Sequence, residues 1–452
     1  MRFTLDEIAR ATGGEVINGS PDWIVEGVTL DSRMVKKDHL FFAIKGETRD
    51  GHDFIGNLQG IKVAAVSERI VSAEIPLVVV KDSRRALQEL ARHAVSRMSG
   101  LIVAVSGSVG KTTTRELTRL VLSSSGATVA ATAGNLNSTL GLPLTLCNFP
   151  EVFTFAVLEM GMNRPGELDL LGSIAPMDLL LYTNVRAVHT EFFDGVEGVA
   201  LAKAELLKHL KSDGILIHPH VDDHLNPHLE SWRGKDLTFG MGGGTVSGEI
   251  TENLGYLGGE LSVRTPSAHF SVTLPEGHLP PENLLAAISV AYALNLDMEA
   301  IIPELEKFKP LPGRGRVVRT AGGTIVDDCY NASPAAVQSS LLTFSMTGVE
   351  GRKIFVFGDM LELGLEREVE HIKVGEAASE VVDVLVTVGP LSSLASKIPN
   401  RRGIKIHNMP DAVNAADLLD SILREDDWVL VKGSRGVGLD VVVRRVTGET
   451  RT

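Results

Sequence analysis

From Leu101 onward one pattern recurs: an aliphatic run of strand length, a polar loop closing on Gly, Ser or Asn, then a stretch with helical spacing. "LIVAVS", "FTFAVLEMG" and "DLLLYTNV" carry it first. After the Pro and Gly cluster "KPLPGRGRV" it restarts with "GTIVDD", "RKIFVFGD", "VDVLVTVG", "IKIHN" and "DWVLVKGS". Strands buried on both faces read as unbroken apolar runs, and alternation with helices marks parallel, doubly wound sheets. The series predicts two such domains. Before them, "HLFFAI", "KVAAVS" and "IPLVVV" are short strand-like runs, and "SRRALQELARHAVSRM" has the apolar spacing of a connecting helix. Between 238 and 275, "TVSGEI", "GELSVRT" and "HFSVTL" alternate and are punctuated by Gly, which predicts a small antiparallel sheet within the central domain. The expected fold class is α/β with three domains: a small one over residues 1–82, a central doubly wound one over 83–313, and a Rossmann-like one over 314–452. A chain of 452 residues, 44% hydrophobic, has the length for this, because single cores stop growing at about 250 to 300 residues.

The formal charge of −13 repels polyphosphate backbones, so nucleic acid is not an expected partner, although local basic pockets for one small anion remain open. Cys147 and Cys329 are too few for a disulfide framework or a thiolate metal site, which fits a reducing compartment. "MRFTLDEIARATGG" is acidic where a signal peptide is basic and then apolar, and no apolar run has the length of a membrane span. The expectation is a cytoplasmic protein.

Chemistry enters at "SGSVGKTTT". A strand ending at Ser106, a loop of Gly107, Ser108, Val109 and Gly110, and then Lys111, Thr112 and Thr113 opening a helix aim backbone N–H groups at one spot, where the helix dipole favours negative charge. That spot suits a phosphate. Lys111 is placed to reach β and γ oxygens, and the Thr112 hydroxyl to serve Mg²⁺. Val105 stands where the usual pattern has its first Gly, and the plainer alternative is a Gly-rich turn with a solvated lysine. ATP or another nucleoside triphosphate is the expected ligand. Glu159 directly follows "FTFAVL", so its carboxylate is expected at a strand tip, where ligands bind in open α/β sheets. His189 in "TNVRAVHTEFF" and Lys203 in "LAKAELLKHL" read, one by one, as ordinary polar residues.

Taken in order, "SGSVGKTTT", "GNLNSTLGLP", "LEMGMNRPGEL", "TNVRAVHTEFF…AKAEL", "LPGRGRV", "VDDCYNASPAAV", "FGDMLELG" and "LVKGSRGVGLD" resemble the Mur ligases of peptidoglycan synthesis across nearly the whole chain. Within that family they are most similar to the branch that joins UDP-N-acetylmuramoyl-tripeptide to D-alanyl-D-alanine. The resemblance implies a cytoplasmic enzyme in which ATP activates a carboxylate as an acyl phosphate, and an amine then attacks to give an amide, ADP and phosphate. It implies two Mg²⁺ ions, one served by Thr112 and Glu159 and the other by His189, with Lys203 carbamylated as a further ligand, and a catalytic group of Lys111, His189 and Lys203. The chemistry is sensible, since an ammonium opposes Mg²⁺ whereas an N-carboxylated lysine offers hard anionic oxygens.

The same resemblance assigns Asn135 and Asn137 to the phosphate and acyl-acceptor cleft, with Ser138 in place of a customary Asn. Asn283 is placed near adenine, with helix capping as the plain alternative. Arg314 is placed on an ATP phosphate after closure, and Asp328, Tyr330 and Asn331 on the ribose and adenine side. Cys329 and Ser333 depart from the commonest "DDSYNANP" form, and Arg186 and Thr190 depart from the branch pattern around His189. Asp31, Ser32 and Arg33 of "TLDSR", with Lys45, Arg49 and His52 of "KGETRDGH", match the uridine-nucleotide domain, where cations and loop N–H groups suit a diphosphate. Lys432, Ser434 and Arg435 are expected at a strand tip that grips the dipeptide carboxylate, and Asp359 near its ammonium. The alternatives are a ligase of this family or of the folylpolyglutamate type that adds a single amino acid, and a non-catalytic ATP-dependent switch. A monomer is expected.

Overall fold

The computed structural model describes residues 1–186, 192–398 and 402–449. Three main sheets follow one another along the chain.

The first is five-stranded. Val28–Thr29, Leu40–Phe42, Ala64–Ser67 and Leu77–Val79 run parallel, and Glu15–Ile17 closes one edge antiparallel. The helix Leu5–Thr12 precedes it because Thr4 and Glu7 form a reciprocal capping box, and it stops at Gly13, whose φ of 66° suits a residue without Cβ. The expected connector is the helix Ser83–Ser96, started by Asp82 accepting from the Arg85 N–H. Its apolar face (Ala86, Leu87, Leu90, Ala91, Ala94) joins a core that runs from the first sheet to one face of the second.

The second sheet has nine strands. From one edge it runs Val129–Ala131, Val152–Glu159, Ser99–Ser106, Met177–Tyr182, Leu210–Pro219, Lys235–Met241 and Val246–Asn253, all parallel, and continues antiparallel through Gly259–Arg264 and His269–Leu274. The antiparallel strands expected between 238 and 275 are present, and they extend the edge of the parallel sheet through ladder hydrogen bonds rather than standing apart. Helices Lys111–Ser124 and Pro281–Ala293 cover the face opposite the connector.

The third sheet has six strands. Gly323–Asp327, Trp428–Lys432, Lys353–Gly358, Val384–Val388 and Lys405–Met409 are parallel, and Arg316–Thr320 pairs antiparallel at the edge. Pro334–Met346 and Arg367–Val381 pack on one face, with Ala412–Ile422 and Asp440–Thr447 on the other, so it is doubly wound. The second and third sheets turn their carboxyl ends toward a shared cavity, the position in which open α/β sheets hold ligands. No helix among the described residues is long and apolar enough to cross a membrane.

Candidate active site between the central and carboxy-terminal sheets

Register sets one wall of the site. Glu159 pairs with Val105, and Tyr182 with Ser106, so three adjacent strands end at one level. The chain after Ser106 turns at Gly107, whose φ is +144° and where a Cβ would lie 1.9 Å from Thr183 Oγ1. Only glycine fits there. The loop is then fastened to the next strand tip: Val109 N–H donates to Asn184 Oδ1 at 3.1 Å, and Thr183 Oγ1 and Asn184 Nδ2 donate to the Val109 carbonyl at 2.7 and 3.0 Å. Ser108 is bonded to the Arg186 backbone. The helix Lys111–Ser124 begins at Gly110 without a side-chain cap, which leaves its first N–H groups for a ligand.

Lys111 Nζ donates to the Gly107 and Ser108 carbonyls at 2.8 and 3.0 Å, and Lys203 Nζ donates to the same Gly107 carbonyl at 2.9 Å. Lys203 is buried. Desolvation, and then the neighbouring Lys111 charge, hold its amine well below the usual lysine range. Burial also lowers Lys111, against the opposing pull of Glu159. Burial and the proximity of the two amines on one carbonyl both work against the protonated form of Lys203.

Glu159 is buried, and its two oxygens differ. Oε1 accepts from Thr112 Oγ1 at 3.2 Å and Asn137 Nδ2 at 2.6 Å. Oε2 is buried with no hydrogen-bond partner among the described residues, 3.9 Å from Arg115 Nε. A dry carboxylate oxygen without a donor, beside a threonine hydroxyl and a phosphate-type loop, is a set of hard oxygen donors that fits Mg²⁺. His189 lies outside the described residues.

The opposite wall comes from the third sheet and the junction before it. Arg314 Nη2 donates to Thr112 Oγ1 at 3.3 Å, and its guanidinium lies 3.8 Å from the Tyr330 ring centroid; Arg435 stands 5.6 Å from the same ring. Asn283 packs on the loop, since a Cβ on Gly110 would meet its Oδ1 at 2.4 Å. It does not cap its helix. The cavity between the walls measures ≈ 810 Å³. It brings together Ser108 to Thr113, Asn135, Asn137, Glu159, Asn283, Arg314, Asp328, Tyr330, Asn331, Lys432, Ser434 and Arg435, which sequence separates by more than 300 positions.

Several expected ligands lie outside this cavity or are already paired within it. Asp359 is buried and does not line the cavity, its Oδ1 accepting from the Ser392 N–H at 2.7 Å, and the residues of its loop that line the cavity are Leu361, Glu362 and Leu363. Lys432 is in an ion pair with Asp328. The uridine-side group lies on the first sheet, outside this cavity. There Arg33 is paired with Asp31, whose carboxyl is lowered to about 2 mainly by that hydrogen bond. Lys45 and Arg49 are exposed, and Ser32 opens a short turn. His52 is buried with both ring nitrogens engaged, Nδ1 on Asp50 at 2.6 Å and Nε2 accepting from the Glu68 N–H at 3.0 Å, so its side chain serves the fold. Thr183 and Asn184, which fasten the phosphate-type loop, were not singled out from sequence. The available signal was a polar pair directly after the buried run "LLLY".

Comparison with known proteins agrees with this geometry. Residues 24–95, 105–291 and 313–435 match, respectively, the models "Mur ligase family, catalytic domain", "Mur ligase middle domain" and "Mur ligase, glutamate ligase domain". The UDP-N-acetylmuramoyl-tripeptide--D-alanyl-D-alanine ligases of Escherichia coli and Bacillus subtilis are each 32% identical to the chain; the alignments cover 98% of it, and 97% and 98% of those enzymes. Among solved structures, MurF from Acinetobacter baumannii superposes with a TM-score of 0.88 at 28% identity, covering 99% of both chains. MurF from Thermotoga maritima in complex with ADP superposes at 0.81 with 31% identity, covering 94% of this chain and 98% of that one. Likeness of this extent spans all three sheets and both walls of the cavity, and the chain belongs to the Mur ligase family.

Proposed function

We propose that the protein joins D-alanyl-D-alanine to UDP-N-acetylmuramoyl-tripeptide with ATP, through an acyl phosphate, in the cytoplasmic synthesis of peptidoglycan precursors. One observation carries this reading: the chain is similar over 98% of its length to ligases of that activity. The site supports it. ATP and a carboxylate are both anions, and Lys111 and Arg314 flank the place where they would meet, supplying fixed positive charge at the cavity. The uncapped helix start after Gly110 receives phosphate oxygens.

Thr112 and Glu159 would hold one Mg²⁺, and His189 with Lys203 the other. Bound there, the metal lends Lewis-acid neutralisation of phosphate charge. Neutral Lys203 is the form that adds CO₂ and loses a proton to become a carbamate, and its burial beside Lys111 favours that form. Asn135 and Asn137 border the same cleft, and Asn137 orients Glu159. Asn283, Asp328, Tyr330 and Asn331 would hold the nucleoside, and Ser434 with Arg435 the dipeptide carboxylate. Asp31, Ser32, Arg33, Lys45 and Arg49 would meet the uridine diphosphate from the first sheet. Both cysteines are free and buried, which suits a cytoplasmic enzyme, and we infer a monomer.

The test is phosphate release from ATP with UDP-N-acetylmuramoyl-tripeptide, adding in turn D-alanyl-D-alanine, D-glutamate, L-glutamate, lysine and diaminopimelate, with product masses recorded. Release with an amide product for the dipeptide alone is expected. Release with a single amino acid instead would move the protein to another branch, and no coupled release would overturn the ligase reading.

A further inference from the structure

Lys432 emerges at the tip of the strand Trp428–Lys432, the position from which a cation would grip an acceptor carboxylate. Its surroundings are different. The ammonium is buried and lies 2.6 Å from Asp328 Oδ2, and it also donates to the Asn331 carbonyl at 3.3 Å. Ser340 Oγ donates to the same Oδ2 at 2.7 Å. Among the described residues Asp328 Oδ1 has no hydrogen bond, and Asp328 lines the cavity. One carboxylate oxygen is therefore clamped from two sides while the other is left for a ligand. Arg435, three residues on, is exposed at the cavity and supplies the cation that Lys432 does not.

We infer that Lys432 is a positioning residue of the nucleotide subsite: it fixes Asp328 so that the free oxygen meets the ribose hydroxyls, and it does not bind the dipeptide. This rests on the proposed ligase reading for its substrates. An unclamped Asp328 would rotate among rotamers, and the aim of its accepting oxygen would be lost.

The test compares ATP with 2′,3′-dideoxy-ATP in wild type and Lys432→Met, by calorimetric binding and by steady-state kinetics with D-alanyl-D-alanine. Wild type is expected to prefer ATP about tenfold, the usual scale for a hydrogen bond to a charged group. Lys432→Met is expected to bring that ratio within about threefold of unity and to raise the KM for ATP about tenfold, with the KM for the dipeptide within about threefold of wild type. A raised dipeptide KM with the nucleotide ratio intact would overturn the inference in favour of direct acceptor contact. Equal rises in both KM values with the ratio intact would overturn it in favour of a structural role. A wild-type ratio of one overturns it as well. Calorimetry needs no acceptor, so failure of the ligase reading is seen separately, as absence of turnover with the dipeptide. Should the Met variant not fold, by circular dichroism, Lys432→Gln is read in the same way.

Discussion

Tyr256 tests how the third sheet is held on the second. It sits in the turn Gly255–Leu257 between two strands of the central sheet, yet its ring is fully buried in the core of the carboxy-terminal sheet, among Val326, Val337, Leu341 and Phe344. Phe344 meets it edge to face at 6.0 Å, and the Tyr256 backbone N–H donates to Thr347 Oγ1 at 2.9 Å. The turn approaches so closely that a Cβ on Gly255, at φ +64°, would lie 2.4 Å from that hydroxyl. A buried aromatic removes about 150 to 250 Å² from water, worth roughly 4 to 6 kcal/mol at 25 cal/mol/Å². Core truncations of aromatics cost about 3 to 5 kcal/mol. Because backbone and partners belong to different sheets, Tyr256→Ala should draw that loss from docking. We expect about 4 kcal/mol, which for a unit of this size lowers the melting temperature of the carboxy-terminal part by on the order of 10 °C. Differential scanning calorimetry should show it melting ahead of the rest, and the KM for ATP should rise because the Arg314 to Thr112 contact depends on docking. Tyr256→Phe should stay within about 1 kcal/mol, since the hydroxyl contact to Ser340 is long at 3.4 Å. A Tyr256→Ala protein melting within about 2 °C of wild type would refute the reasoning.

Gly110→Ala should weaken ATP binding about tenfold or more, because φ of +86° strains any side chain by about 1 to 3 kcal/mol and the new methyl meets Asn283 Oδ1; calorimetric titration with ATP checks it, and unchanged affinity would contradict the assigned loop. His278, packed on Tyr256 with its ring nitrogens near Thr343 and Ser339 hydroxyls, is lowered to about 4 by burial. The unfolded chain takes the proton near 6.5, so stability should fall as pH drops from 6.5 toward 4, by at most about 3 kcal/mol. Urea midpoints for wild type should fall over that window, and His278→Gln should flatten the fall; parallel curves would count against it.

The parts legible in sequence were those whose cause is local. Lys111 and Thr112 follow directly from a strand, a glycine turn and a helix start that lie within a dozen residues, and Glu159 from an apolar run that ends at it. His52 shows the limit. It looked like a phosphate ligand in "KGETRDGH", but the Glu68 N–H that occupies its Nε2 arrives from the residue just past the strand Ala64–Ser67, 16 positions on. Asp359 is likewise read as an ammonium partner in "GDMLELG", but its Oδ1 accepts from the Ser392 N–H, which lies 33 positions on.

The sequence by itself determined three α/β units, a phosphate-type loop, a strand-tip carboxylate and membership of one ligase family, because apolar period and loop chemistry are written in neighbouring residues. Only the tertiary structure decided which side chains face one another across the cavity. Asp328 and Lys432 stand 104 positions apart, and they meet because Gly323–Asp327 and Trp428–Lys432 are adjacent parallel strands. Strand order comes from how whole faces pack, so no local pattern could have told a lysine that binds substrate from one that holds an aspartate in place.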